Sequence, residues 1–247
     1  MGFNALPDET LEDLQIKGLY ILQKKDKFRF GMDAVLLANF VSILKPKRVL
    51  DLGTGTGIIP ILLAAKTNAK WITGIEIQPD IADMAKRSVE GNGLNDRIEI
   101  IEGDLKAAKD LLGAATYDVV VTNPPYSKVG TGFVNPTESK AISRHEIYCT
   151  LDDVLDCARS MLKPNGEFYM VHRPERLTDV ITGMRWVKIE PKILRMVVAK
   201  EGQAPGLFLI KGLKNGNAGL KIMPNLVIYD QWGNYTEELC RIYGLNM

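Results

Sequence analysis

Residues 48–57 read RVLDLGTGTG, a short apolar run that passes directly into three glycines at alternating positions. The apolar run predicts a buried β-strand, and PILLAAKT (60–67) predicts the helix after it. Glycines between a strand and a helix allow a sharp turn and a close approach of ligand to backbone. The spacing is GxGxG, whereas a dinucleotide-binding turn is GxGxxG, and Ile58 occupies the position of that third glycine.

The alternation of apolar runs and helical patterns continues to about residue 172. Further strands are predicted at WITGIEI (71–77), RIEIIEGD (97–104), YDVVVTNPP (117–125) and EFYMVH (167–172). The long helix LDDVLDCARSMLKPNG is predicted to stop at Pro164 and Gly166. Strands that alternate with helices form parallel βαβ units, so the sequence predicts an α/β fold with a doubly wound, mostly parallel sheet. The last two strands, within 187–199 and 205–213, are too close for a helical crossover and should pair antiparallel.

Three units are predicted along the chain. Residues 1–45 should form a hairpin, over LQIKGLYILQKKDKFRF (14–30), and a helix from about residue 32 to 42. Residues 46–215 form the core. Residues 216–247 form a C-terminal extension packed on that core, with one strand and one short helix.

Composition and cysteine usage argue against several classes of protein. The sequence has neither an apolar run long enough to span a bilayer nor a basic, apolar leader, so a cytoplasmic protein is predicted. Its three cysteines lack CxxC spacing, which argues against a disulfide framework and a zinc site. With only two histidines, no metal site is expected. No feature indicates an obligate protein partner.

Positive charge is concentrated in two segments that flank the core. Residues 17–48 hold eight Lys/Arg and two Asp/Glu, and residues 157–221 hold twelve and five. Residues 49–156 between them carry a net charge of −6. The two segments could form one electropositive face toward a polyanion. Solvated surface lysines explain the same pattern equally well.

Acidic residues follow three successive predicted strands. Asp51 lies in the first, Glu76 at the end of the second, and Asp104 at the end of the third. Because ligands of open parallel sheets bind beyond the carboxyl ends of the strands, these acids should line one crevice with the glycine turn. A single acid at such a position is usually a helix N-cap. Three acids beside a GxGxG turn are better explained by a cationic or hydroxyl-bearing ligand, since they would repel a pyrophosphate.

The fourth strand is followed by Asn123-Pro124-Pro125-Tyr126. An Asn side-chain oxygen and a backbone carbonyl of the Pro-Pro turn can accept the two hydrogen bonds of an exocyclic amine, and a tyrosine can stack on a planar substrate. Asn-Pro by itself is also a common turn. The position at the same crevice as the glycine turn favours the chemical interpretation.

The series DLGTGTG, GIEI and EGD resembles the S-adenosylmethionine-dependent class I methyltransferases over roughly residues 47–172. This resemblance implies a seven-stranded Rossmann-like methyltransferase sheet and S-adenosyl-L-methionine as cofactor. It implies a cofactor-binding set of Asp51, Gly53, Thr54, Gly55, Gly57, Glu76, Ile77, Asp104, Leu105 and Asn123. Within that set, Glu76 would hold the ribose and Asp104 the adenine. The catalytic residues would be Asn123, Pro124, Pro125 and Tyr126.

The NPPY sequence is similar to the motif of enzymes that methylate N6 of adenine and of those that methylate glutamine side chains. The whole chain, with FRFGMDAVLLA (28–38) and SRHE (143–146), resembles the bacterial tRNA(Val) adenine-37 N6-methyltransferases. In related families the first segment closes the cofactor pocket, and Arg144 and His145 have no assigned role. The resemblance implies an RNA substrate, a tRNA in particular. The alternative is a protein-glutamine N5-methyltransferase, although its usual N-terminal helical domain has no counterpart in the 45 residues before the core.

Overall fold

The structure is a computed structural model and describes residues 2–25, 31–125 and 149–245. Its strands are β1 Glu9–Asp13, β2 Tyr20–Lys24, β3 Lys47–Leu52, β4 Ala69–Glu76, β5 Ile98–Glu102, β6 Tyr117–Thr122, β7 Leu162–His172, β8 Ile189–Val198, β9 Pro205–Lys214, β10 Lys221–Ile222 and β11 Leu226–Val227. Its α-helices are α1 Met32–Phe40, α2 Ile58–Lys66, α3 Pro79–Gly91, α4 Ala108–Leu112, α5 Leu151–Met161, α6 Leu177–Trp186 and α7 Glu237–Tyr243. Single 3₁₀ turns cover Leu105–Ala107 and Pro174–Arg176.

A mostly parallel sheet forms the centre, in the order β10-β8-β9-β7-β6-β3-β4-β5, with β11 also paired to β8. The parallel pairs β3–β4, β3–β6, β4–β5 and β6–β7, and the antiparallel pairs of β9 with β7 and β8, confirm the predicted fold class. Seven of the strands form the predicted sheet. The C-terminal extension adds β10 and β11, where the sequence predicted a single strand. Buried side chains from α1, α2, α3 and α7 cover one face, and those from α4, α5 and α6 cover the other.

The predicted end of the helix before β7 was wrong by several residues. Helix α5 ends at Met161, and Pro164 and Gly166 lie inside the first part of β7. The pairing of β6 with β7 shifts between Tyr117 and Val119, so residues 163–166 form a bulge. Proline and glycine break a helix, but they also occupy bulges, and the sequence pattern does not separate the two uses.

The N-terminal hairpin is present but lies earlier than predicted. Strand β1 pairs antiparallel with β2, and residues 14–19 connect them. Helix α3 fixes this position, because the Leu22 and Tyr20 N–H groups donate to the side-chain oxygens of Ser88 and Asn92. The buried Glu9 carboxylate also accepts two hydrogen bonds from Arg87 of α3, at 2.7 Å each, and these bonds lower its pKa to about 2.

Candidate functional site

The site is built on the edge where the parallel strands end, called here the carboxyl edge. Its strands end at Leu52 (β3), Glu76 (β4), Glu102 (β5), Thr122 (β6) and His172 (β7). The register places Leu52 beside both Ile75 and Thr122, and Glu76 beside Glu102. The Thr122 hydroxyl donates to the Leu52 carbonyl at 3.0 Å, which joins the ends of β3 and β6. The predicted convergence of strand ends is therefore present.

The glycine turn between β3 and α2 depends on left-handed backbone conformations. Gly53, Gly55 and Gly57 have φ values of 69°, 56° and 87°, which other residues adopt with strain. The Gly53 and Thr54 N–H groups both donate to the Ile75 carbonyl at 3.0 Å. Gly57 is the N-cap of α2, so the turn passes directly into the helix as the sequence predicts.

A fourth glycine, Gly74 near the end of β4, was not among the predicted site residues. A Cβ atom there would lie 2.8 Å from the Thr54 hydroxyl oxygen and 2.9 Å from the Thr54 Cβ. Gly74 therefore provides the space in which the glycine turn packs against β4. The available signal was a lone glycine inside a strand, which often marks a close approach of another part of the chain.

The Glu76 carboxylate is 4% exposed and holds the glycine turn from the side. It accepts hydrogen bonds from the Gly55 N–H at 2.9 Å and from the Gln78 backbone N–H at 3.0 Å. The Gln78 side chain donates to it at 3.3 Å, a contact that sequence reasoning missed. This acid is therefore fixed beside the turn.

Asp51 is fully buried, and neither of its carboxylate oxygens has a hydrogen-bond partner among the described residues. Burial raises its pKa to about 7, and the nearby Glu76 carboxylate adds to the shift. The Thr54 hydroxyl lies close enough to oppose part of it, yet it does not reach hydrogen-bond geometry and is itself unpartnered. Leaving such groups unpaired costs on the order of 1–3 kcal/mol each, so this pair is a feature that needs an explanation.

Asp104 acts as a helix cap in this structure. It is the N-cap of the 3₁₀ turn that follows β5, and it accepts from the Lys106 N–H at 2.9 Å. The Lys106 ammonium lies 3.7 Å from its other oxygen. Asp104, Leu105 and Ile77 are all partly exposed at the carboxyl edge, beside Glu76. An acid at a strand end is usually a helix N-cap, and this interpretation holds for Asp104 but not for Asp51 or Glu76.

The Asn-Pro-Pro sequence begins where β6 ends, one strand away from the glycine turn. Asn123 and Pro125 are partly exposed, and Pro124 is buried. Tyr126, Arg144, His145 and the FRF sequence at 28–30 lie outside the described residues. The structure thus brings Asn123 to the same edge as Asp51, Glu76 and Asp104.

In the part of the chain that is described, the cations of the two basic segments are divided between the two edges of the sheet. Arg173 and Lys200 lie at the carboxyl edge, next to the end of β7 and the end of β8. Other cations lie toward the opposite edge and are paired with carboxylates, as in Lys47–Glu167, Lys211–Glu167, Lys163–Asp118 and Arg185–Glu190. Part of the charge that the sequence pattern suggested for a polyanion is therefore paired with carboxylates away from the carboxyl edge.

Two cavities lie away from this site. One of about 690 Å³ lies between the end of α6 and the start of β8, and one of about 270 Å³ lies between α1, the sheet and the C-terminal extension. Neither is lined by a predicted site residue. Within residues 2–25, 31–125 and 149–245, no helix could cross a membrane, and no group of three His, Cys, Asp or Glu could hold a metal ion.

Comparison with curated proteins found relatives named tRNA1(Val) (adenine(37)-N6)-methyltransferase. The protein of that name from Porphyromonas gingivalis is 32% identical over 160 residues, an alignment that covers 62% of this chain and only 61% of the relative. The one from Actinobacillus pleuropneumoniae is 26% identical over 240 residues, which cover 96% of this chain and 98% of the relative. The second alignment thus includes most of the C-terminal extension.

Among solved structures, a predicted O-methyltransferase from Agrobacterium tumefaciens superimposes with a TM-score of 0.71 at 21% identity. The match covers 86% of this chain and 96% of that one, and it shows a shared fold. The family model of the methyltransferase small domain matches residues 25–184, a range that contains the glycine turn, Glu76, Asp104 and Asn123. By its sequence and its fold, the chain is a member of the methyltransferase small domain family.

Proposed function

We propose that this protein is an S-adenosylmethionine-dependent methyltransferase that modifies N6 of an adenine in tRNA, in the anticodon loop of a valine tRNA. The observation that carries the proposal is the position of Asn123-Pro124-Pro125. It begins at the end of β6, in register beside the glycine turn that follows β3. An acceptor amine held by Asn123 would thus lie next to a ligand held by the turn.

The residues of the glycine turn fit this cofactor better than a nucleotide phosphate. S-adenosylmethionine carries an ammonium group and a sulfonium-bound methyl that is already activated for transfer. The buried, unpartnered carboxylate of Asp51 favours a cation nearby, because charges interact strongly where water is excluded. It would repel a phosphate. Since Asp51 is fully buried, its effect on the ligand is electrostatic and acts through the turn.

The remaining cofactor contacts are assigned from position along the carboxyl edge. Glu76, already fixed by Gly55 and Gln78, would accept the ribose hydroxyls. Ile77 and Leu105 would pack on the adenine ring, and Asp104 would accept its amine. For Asp104, the oxygen that accepts from the adenine amine would be the one near the Lys106 ammonium. The other oxygen already accepts from the Lys106 backbone N–H and caps the 3₁₀ turn.

The acceptor chemistry needs positioning more than acid–base catalysis. The two N–H groups of the adenine amine would donate to the Asn123 side-chain oxygen and to a carbonyl of the proline turn. These two hydrogen bonds would direct the amine lone pair toward the methyl group. Tyr126 would stack on the base. No tuned general base is required, since the product loses its proton after transfer, and the rate comes from orientation and electrostatics.

Support for tRNA as substrate comes from the full-length relatives. The Actinobacillus protein, aligned along 96% of this chain, carries a name that specifies adenine 37 of a valine tRNA. A base must leave its stack to reach Asn123, and an unpaired loop base does so at lower cost than a paired one. Neither the Porphyromonas protein nor the Actinobacillus protein carries a name that specifies a glutamine acceptor.

The first prediction concerns Glu76. Glu76→Ala should weaken binding of S-adenosylmethionine by roughly 1.5–3 kcal/mol, the scale of a lost charge-assisted hydrogen bond. The matched control is Glu102→Ala, because Glu102 pairs with Glu76 in the sheet but is exposed. Calorimetry with a chelator present measures both affinities. Equal affinity in the two variants would contradict the assigned role of Glu76.

The second prediction concerns the Asp51 carboxylate. Its pKa lies above the usual 3.8, so its ionisation destabilises the fold increasingly from about pH 4 to 7. Asp51→Asn should therefore match the wild type in stability near pH 4 and exceed it by as much as ~2–4 kcal/mol at pH 8. The same variant should bind the cofactor more weakly at pH 8. Thermal unfolding and calorimetry check the two effects, and stabilisation without loss of affinity would remove Asp51 from the cofactor site.

The third prediction separates binding from transfer. Asn123→Ala should lower the rate of methyl transfer by about 10²–10³, as is typical when one preorganised polar group is removed. Cofactor affinity should stay close to that of the wild type, because Asn123 faces mainly the acceptor. Single-turnover assays with labelled cofactor measure the first quantity, and calorimetry the second. Full activity in this variant would reduce the Asn-Pro-Pro sequence to a turn.

The fourth prediction tests the substrate. Wild-type protein and labelled cofactor, incubated side by side with bulk tRNA, ribosomal RNA and a protein extract, should label tRNA. Mass spectrometry of tRNA from a deletion strain should show the loss of one N6-methyladenosine next to an anticodon. Binding of tRNA to the wild type should weaken steeply as the salt concentration rises, because binding releases counterions from the phosphates. Arg173→Ala should bind tRNA more weakly than the wild type at the same salt concentration. Label in a protein glutamine, with unchanged tRNA, would establish the alternative acceptor.

A further inference from the structure

The C-terminal extension contains a tight hairpin, residues 229–235, between β11 and α7, and neither the glycine turn nor the proline turn explains it. Tyr229 and Tyr235 form an antiparallel bridge, and the Asp230 N–H donates to the Asn234 carbonyl at 2.8 Å. The Asp230 carboxylate accepts from the N–H groups of Trp232 and Asn234 at 2.9 Å each. The turn of this C-terminal hairpin is therefore held by its own backbone and one carboxylate.

Aromatic stacking fixes the C-terminal hairpin to the rest of the protein. The rings of Tyr229 and Tyr235 lie 5.4 Å apart, and that of Tyr235 lies 6.1 Å from Tyr243 of α7. Both pairs are close to parallel, at 25° and 10°. The Thr236 hydroxyl also donates to the Val227 carbonyl of β11 at 2.7 Å. The base of the hairpin is thus packed, yet Trp232 at its tip is 77% exposed.

The topology places Trp232 at the carboxyl edge. Strand β11 runs parallel to β8, with Val227 beside Val198, and the Tyr229 N–H donates to the Ala199 carbonyl at 2.9 Å. The hairpin therefore projects past the same edge as Asn123. Four strand spacings separate β6 from β11, which is roughly 20 Å at about 4.8 Å each. A stacked nucleic-acid strand covers that distance in about six nucleotides, and a splayed strand in fewer.

The charges around the hairpin indicate which part of an RNA it contacts. Between Asn123 and the hairpin lie the exposed cations Arg173 and Lys200, but the carboxylates Glu201 and Glu237 are exposed there too. This mixture of exposed cations and carboxylates is suited to a few phosphate contacts along the edge and not to tight binding of a phosphate at the hairpin itself. A rigid, exposed indole offers instead a flat apolar face, and every base has a matching π-face.

We propose that Trp232 stacks on an unpaired base of the RNA substrate, several nucleotides from the adenine that enters the site beside Asn123. This inference rests on the proposed RNA function and adds a second contact point to it. A base held at the C-terminal hairpin positions the strand along the carboxyl edge without touching the reacting atoms. Its loss should therefore raise KM for tRNA and leave kcat nearly unchanged.

The test compares three variants in steady-state methylation of tRNA. Trp232→Ala should raise KM for tRNA about tenfold or more, the usual effect of losing one stacked base. Trp232→Tyr should restore most of the affinity, because it keeps a stacking face. The matched control is Trp186→Ala, since Trp186 is 86% exposed at the end of α6, on the opposite edge of the sheet, and should have no effect.

The outcomes distinguish failure of the stacking role from failure of the proposed function. An unchanged KM in Trp232→Ala, with an active wild type, would overturn the stacking role and leave the proposed function intact. A rise in KM that Trp232→Tyr does not reverse would also overturn it, because aromatic stacking would not be the cause. A wild type that methylates no RNA would refute the proposed function itself, and the inference with it, before any variant is compared. Cofactor affinity should be the same in all four proteins.

Discussion

Two backbone hydrogen bonds to a single carbonyl oxygen, that of Ile75, hold the glycine turn against the end of β4. Both donors, Gly53 and Thr54, can reach this carbonyl only because the turn takes left-handed conformations and because Gly74 leaves room for the Thr54 side chain. The residue after Ile75 in β4 is Glu76, whose carboxylate accepts a hydrogen bond from the Gly55 N–H. This contact between the turn and β4 thus fixes the positions of the glycine turn, of the Glu76 carboxylate and of the start of α2.

The same packing leaves the Asp51 carboxylate and the Thr54 hydroxyl buried without hydrogen-bond partners among the described residues. A protein selected for stability alone would replace such a carboxylate, since its burial raises the pKa to about 7 and its ionisation opposes folding. Retained destabilising groups are typical of functional sites, where a ligand supplies what the fold lacks. Asp51 is therefore the residue at which stability and the proposed cofactor binding are most directly opposed.

The two edges of the sheet differ in what they can do. The carboxyl edge collects the glycine turn, three acids, Asn123 and, at its far end, the exposed indole of Trp232. Several paired cations lie toward the other edge, where Lys47 and Lys211 share Glu167. A count of charges along the chain therefore overstates the positive charge at the carboxyl edge. The proposed recognition of an RNA substrate therefore relies on separate contacts along this edge and not on a broad electropositive face.

Sequence reasoning alone predicted the alternation of strands and helices, the glycine turn and the acids after successive strands, because these patterns are local and do not depend on contacts with distant parts of the chain. It misplaced the N-terminal hairpin, because side chains of α3 that are distant in sequence, Ser88 and Asn92, select which residues pair. It took Pro164 and Gly166 as the stop of α5, which ends at Met161, because helix stops and strand bulges use the same residues. Contacts between segments far apart in the chain decide the rest, because through them Gly74 receives Thr54, the Asp51 carboxylate has no hydrogen-bond partner among the described residues, and the C-terminal extension brings Trp232 to the carboxyl edge.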